Sequence, residues 1–420
     1  MATGSPFAVL KWSRLPGLPF FLILCAAGLY GQQPQLRELE SRAAAAKAKG
    51  DAPAALAAWQ QAEAQDPKSA RIQDEIGFLL AVLNRRDEAF QHFERALTLD
   101  PKFAPARFHM GVTWWLAGEP AQAIPHLEAA AALDPKVFDY RFYLGQAFNA
   151  TAQFTQALPN LTAATTLNPN SSEAWNQLGL ARQRTGNADG ALEAYRRAVS
   201  LAPGNLDARN NLGFVLVNSG HAEEGLAQFE KILAADPSNN MARVNAGFAW
   251  LQKADLDRAA AQFRDVLRRD PNSAIAHYDL AIALKQKDDL DGARTELALA
   301  LALDPQLYEA HYTLGIIDWQ SGDFEQAAKE MRAAIAINPA YGEAHFMLGT
   351  ALKQHGDLAA AEAALRDAIR FAPDNPGPYN TLAQLLRQKG DVEGSRAVFE
   401  QGAKAKQKKE AELGRMLQKK

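Results

Sequence analysis

Apolar and polar positions recur along the chain with one fixed period. Prolines stand at 67, 101, 135, 169, 203, 237, 271, 305, 339 and 373, equally spaced, with no insertion or deletion between them. Asp or Asn precedes eight of these prolines, and Ala202 and Ala372 precede the other two. Asx-Pro stops a helix, because proline cannot continue it and biases its predecessor out of the helical region. A second slot holds Gly77, Gly111, Gly145, Gly179, Gly213, Gly247, Gly315 and Gly349, with Ala281 and Ala383 as substitutes. A third slot is Ala in most units (Ala89, Ala191 and Ala327 among them), and one turn later a fourth is bulky: Phe93, Leu127, Leu161, Tyr195, Phe229, Phe263, Leu297, Met331, Leu365 and Phe399. Each unit of the repeat therefore predicts two helices. The first carries apolar residues at helical spacing around the Gly slot, and a break follows, often at glycine, as at Gly118, Gly186 and Gly322. The second carries the Ala and bulky slots and stops at Asx-Pro. Glycine inside a helix costs about 1 kcal/mol relative to alanine, so its recurrence at one slot implies close helix contact.

These residues resemble the tetratricopeptide repeat, a unit of about 34 residues with the pattern W-x2-L-G-x2-Y…A-x3-F…P. Residues 172–205 match it with Trp175, Leu178, Gly179, Ala191, Tyr195 and Pro203; Arg182 departs from the usual aromatic slot. Eleven units run from 36 to 409. The first has only Ala43 in the Gly slot, and the last has Gln407 where proline is due. The resemblance implies an all-α fold: an α-solenoid, a right-handed superhelix of antiparallel helix pairs, closed by a C-terminal capping helix. It also implies that the first helix of each unit lines a concave groove.

Positions about 200° around the first helix from the Leu-Gly pair face away from the packing side. That offset selects Phe108, Trp115, Phe142 and Tyr143 in the early units. It selects Asn176, Gln177, Asn210, Asn211, Asn218 and Asn245 in the middle, and Tyr278, Tyr312 and Trp319 late. Asn and Gln carry both donor and acceptor, so they can pair with the backbone of a bound peptide whatever its side chains. Aromatics add contact area at low entropy cost. These residues are the candidate partner-binding site.

Composition narrows the function. Of 420 residues, 45 are Lys or Arg and 48 Asp or Glu, a net charge of −3, and 48% are apolar. A wholly disordered chain is excluded, and so is a nucleic-acid binder working through bulk charge. One cysteine excludes a disulfide framework and a Cys-based zinc site. Residues 1–31 contain no acidic residue; Lys11 and Arg14 precede an apolar run from Leu18 to Ala27. This is the layout of a secretory signal, with an uncleaved anchor over 15–30 as the alternative. Lipidation at Cys25 would need a small residue before it, and Leu24 stands there. The tail 403–420 has seven basic and two acidic residues; with the two basic residues of the leader set aside as well, the body carries −10. The tail reads as a basic capping helix, with weak contact to anionic lipid or an acidic partner as the sharper alternative.

His277, His311 and His345 recur at the same period on the packing side, which reads as core histidine rather than a metal site. Asp288, Asp289 and Asp291 fall at an inter-helix turn and read as a helix cap. No phosphate loop, nucleophile elbow or zinc-helix motif is present. The expectation is a non-enzymatic interaction scaffold, secreted or periplasmic. Its partner is a protein or peptide segment, with no cofactor, metal, nucleic acid or small-molecule substrate. Membrane contact arises only through the N-terminal segment or the basic tail. Rival readings are a cell-envelope assembly factor and the substrate-recognition subunit of a glycosyltransferase complex.

Overall fold

A computed structural model describes residues 34–417, and among them are twenty-two helices and no strand. The leader read over 1–31, with Cys25, lies outside the described residues. The helices fall into two compact units, divided between residues 219 and 220. The first unit holds α1 (Pro34–Ala48), α2 (Ala52–Gln65), α3 (Ala70–Val82), α4 (Arg86–Leu99), α5 (Ala104–Leu116), α6 (Pro120–Leu133), α7 (Phe138–Ala150), α8 (Phe154–Leu167), α9 (Ser172–Arg184), α10 (Ala188–Leu201) and α11 (Leu206–Asn218). The second holds α12 (Ala222–Ala235), α13 (Asn240–Gln252), α14 (Leu256–Arg269), α15 (Ala274–Gln286), α16 (Leu290–Leu303), α17 (Tyr308–Gln320), α18 (Phe324–Ile337), α19 (Gly342–His355), α20 (Leu358–Phe371), α21 (Pro376–Gln388) and α22 (Val392–Leu417).

Within each unit every helix packs on its sequence neighbours, and several odd-numbered helices also touch the next odd one: α3 with α5, α5 with α7, α7 with α9, α9 with α11, α13 with α15, α17 with α19 and α19 with α21. The odd helices thus form one continuous face of each stack.

The Gly and bulky slots explain how the pairs close. An added Cβ on Gly179 would sit 2.6 Å from Tyr195, and one on Gly77 2.7 Å from Phe93. The bulky side chain lies directly on the glycine, and Phe93, Leu161, Tyr195, Phe229 and Phe263 are all 0% exposed. Each such burial is worth about 1.5–3 kcal/mol. The exception is instructive: Ala383 fills the Gly slot of the last pair, and Phe399, which should lie on it, is 59% exposed. Leu297, opposite Ala281 in the same arrangement, stays buried.

The Asx-Pro stops also have a physical cause. The Asp100 carboxylate accepts from the Lys102 N–H at 2.9 Å and that of Asp304 from Gln306 at 2.9 Å, so each Asx caps the turn that ends its helix. Where the proline is replaced by Gln407 there is no stop. The helix α22 runs unbroken from Val392 to Leu417, and the basic tail is its continuation.

Candidate functional site

The odd helices present the candidate face, and one slot fixes where each begins. Six residues after every repeat proline stands a side chain with an N–H or O–H, and in most units it caps the proline carbonyl. Trp175 Nε1 donates to Pro169 O at 2.9 Å, Arg209 to Pro203 O at 2.7 Å, Arg243 to Pro237 O at 2.9 Å and Tyr379 to Pro373 O at 3.1 Å. His277 and His345 reach Pro271 O and Pro339 O at 3.1 and 3.0 Å. The other ring nitrogen of His277 meets Glu296 at 2.6 Å, and His311 meets Glu330 at 2.7 Å. His277 and His311 therefore bind their own helix pairs together, and His345 stacks on Phe371 of α20 at 5.2 Å. Among the described residues no group of three or more His, Cys, Asp or Glu side chains is gathered as a metal-ligand set. Asp289 caps α16 through the Gly292 N–H at 3.0 Å.

A second regularity runs across the face. The residue three before the Gly slot of one odd helix meets the residue two before it in the next. Asp74 meets His109 at 2.9 Å, the Phe108 and Tyr143 rings lie 5.6 Å apart edge-on, and Asn211 Nδ2 donates to Asn176 Oδ1 at 3.0 Å. Tyr278 on α15 and Thr313 on α17 hold the same two places. Successive odd helices are thereby laced along a diagonal seam whose chemistry changes from an ionisable pair to aromatic, amide and phenol.

This seam decides where the sequence-selected residues sit. Phe108 and Phe142 are 7% and 6% exposed. Phe108 packs on Tyr140 at 4.8 Å, and Phe142 stacks on Phe138 at 5.3 Å, both within the core of the first unit. Phe108 serves the seam. Trp115 and Tyr143 pack half-buried against the same core. Asn176, Gln177, Asn210 and Asn211 are half-buried on α9 and α11, and Asn218 is exposed at the end of α11. Gln177 is engaged by Asn149, a buried residue the stripe did not single out, which donates to its Oε1 at 2.9 Å and its backbone oxygen at 3.0 Å. In the second unit Asn245, Tyr278, Tyr312 and Trp319 are all half-buried on odd helices.

Burial pushes the Asp74 carboxyl up, and the adjoining His109 pulls it partly back. Asp279 occupies the same seam on α15, but its counterpart three before the Gly slot of α13 is Val244, which has no polar group to offer. Half-buried without an ion pair, Asp279 is pushed up to about 6 by desolvation alone. Its folded-state value lies above its unfolded one. The penalty for ionising it is absent below about pH 4, grows as pH rises through about 6, and is full above. Asp279→Asn is therefore expected to raise stability by about 1–2 kcal/mol at pH 8 and to change little at pH 4, with the slope of stability against pH flattened between. Urea titrations of both proteins at the two pH values check this, and an equal gain at both would refute it.

Among the described residues no helix is long and apolar enough to cross a membrane. Family models described as tetratricopeptide repeat match residues 41–102, 104–129, 132–306, 312–376 and 352–419. No curated protein matches the chain. Among solved structures it is similar to yeast Tom70, with 15% identity, a TM-score of 0.51, and 91% of this chain and 94% of that one covered. It is also similar to YrrB, described as a TPR protein with an unusual peptide-binding site, at 26% identity and TM-score 0.42 over 44% of this chain and 95% of that one. A human IFIT1 dimer with PPP-AAAA gives 15% identity and TM-score 0.46 over 90% and 95%.

Proposed function

Because the chain belongs to the tetratricopeptide repeat family, we propose that it is a non-catalytic protein-interaction scaffold whose odd-helix faces hold an extended or helical segment of a partner protein. The observation that carries the reading is the amide group on α9 and α11. Asn211 and Asn176 join through a single N–H···O bond, which leaves the Asn176 NH2 and the Asn211 oxygen to offer to a peptide backbone. An amide run in this position binds main chain rather than a particular side chain, so its contribution tolerates sequence change in the partner. The acid-free leader supports work outside the cytoplasm, by secretion or from an anchor.

Affinity capture from the native envelope identifies the partner. The variant Asn176→Ala, Asn211→Ala is then expected to weaken its binding about tenfold while the melting temperature stays within a few degrees, since each lost amide bond is worth about 1 kcal/mol. Unchanged affinity removes the amides from the site. A glycosyl-transfer assay on the complex captured with the chain separates the scaffold from the subunit of a glycosyltransferase.

A further inference from the structure

The second unit gathers four tyrosines on its odd-helix side. The Tyr341 ring, at the start of α19, lies 5.0 Å from Tyr308 edge-on and 5.1 Å from Tyr312, both on α17. Tyr278 holds on α15 the place that Tyr312 holds on α17, three before the Gly slot. All four are half-buried. On the same side of the neighbouring helices Phe248 is 41% exposed and Ile275 52%. They add exposed apolar surface beside the ring faces.

The charges beside the tyrosines are of one sign. Asp279, Glu309 and Glu343 surround the cluster, and among the described residues none of them pairs with Lys, Arg or His. Elsewhere in this unit acids find cations readily: Glu223 with Lys253 at 2.8 Å, Asp265 with Arg243 at 3.1 Å, Glu362 with Lys389 at 2.6 Å. Burial raises the phenols of Tyr278, Tyr312 and Tyr341, and the charged groups that add to it are carboxylates. For Tyr308 the hydrogen bond to Glu309 comes first. Ring faces and uncompensated carboxylates side by side are complementary to an ammonium or guanidinium group.

We propose that this face docks a basic segment of a partner protein, seating a lysine or arginine side chain among Tyr278, Tyr308, Tyr312 and Tyr341, beside Asp279, Glu309 and Glu343, with apolar residues of the segment on Phe248 and Ile275. The inference rests on the scaffold reading above and gives it a partner chemistry. Anionic lipid and nucleic acid are repelled by the same carboxylates.

The probes are a labelled twelve-residue peptide of alternating Leu and Lys, its Leu-Glu counterpart, and the Leu-Lys peptide acetylated at every Nζ, followed by fluorescence anisotropy on the full chain. The lysine peptide is expected to bind about tenfold tighter than either control, and more weakly at high salt. Glu309→Gln with Glu343→Gln is expected to remove most of that preference, and Tyr341→Leu to lower affinity several-fold even at high salt. Glu325→Gln with Glu393→Gln removes equal charge from exposed positions on even helices, and is expected to leave binding unchanged. Equal loss in that control shows attraction by bulk charge and overturns the proposal. Equal binding of the lysine and glutamate peptides overturns the basic preference while leaving the amide test of the scaffold standing. Absence of binding by either peptide overturns it too. If truncation after Ala403 raises peptide affinity tenfold, the occupant is the chain's own basic tail, and the partner reading falls.

Discussion

Replacing Tyr195 with alanine is expected to destabilise the first unit by about 3–5 kcal/mol, as emptying a closed core site under an aromatic ring does. The ring is 0% exposed and lies on Gly179, and its hydroxyl meets Gln183 Oε1 at 2.9 Å. Three losses combine: the apolar transfer term, the void left over the glycine, and one hydrogen bond. The backbone of α9 cannot sink into the void, because Leu178 and Ala181 on either side of Gly179 are already buried against their own neighbours. Gly179→Ala/Tyr195→Ala is expected to recover part of the loss, since the new methyl fills some of the void and alanine favours the helix by about 1 kcal/mol. Urea unfolding of the two variants checks both statements. A Tyr195→Ala cost below about 1 kcal/mol would show that the slot is not the closing contact described.

The second large effect belongs to Arg294. Its guanidinium on α16 pairs with Asp318 of α17 and reaches Ser321 Oγ at 3.2 Å. Asp318 is 2% exposed, and burial already raises its carboxyl above the usual range, with Arg294 working against that rise. Arg294→Ala strands a buried charge, a loss of about 3–5 kcal/mol for a closed pair and about 2–4 here, because the arginine head is itself partly solvated. Removing the cation raises the Asp318 value further. The variant is therefore least stable above that value and regains stability as pH falls through it. Arg294→Ala/Asp318→Asn is expected to restore most of the loss at pH 7. A double variant as unstable as the single one would mean that the arginine acts by packing its stem and not by its charge.

Much of the architecture was legible because it rests on residues that only one geometry accepts. Proline, the small glycine slot and the bulky slot each have a single job here, so their spacing exposes the helix pairs directly. The carbonyl-capping slot was harder to read. Trp175, Arg209, His277 and Tyr379 share no size, charge or hydropathy. Their common property is an N–H or O–H at the right reach, and a search by donor capacity rather than residue type would have found it. The candidate face was only half legible for a different reason. An angular offset from the Leu-Gly pair treats each helix alone, whereas the next odd helix covers part of the stripe. Phe108 is consumed there by the seam and Phe142 by the core, while Asp279 is left without a counterpart because Val244 occupies the opposing place.

The missing proline at Gln407 makes α22 a natural graft point. A helix that continues past Leu417 would carry whatever follows it forward by ~1.5 Å and round by ~100° for each residue inserted. A reporter or second module spliced on in helical phase would thus be held at a bearing set by linker length, as on a graduated rod, whereas a glycine-rich joint would let it swing.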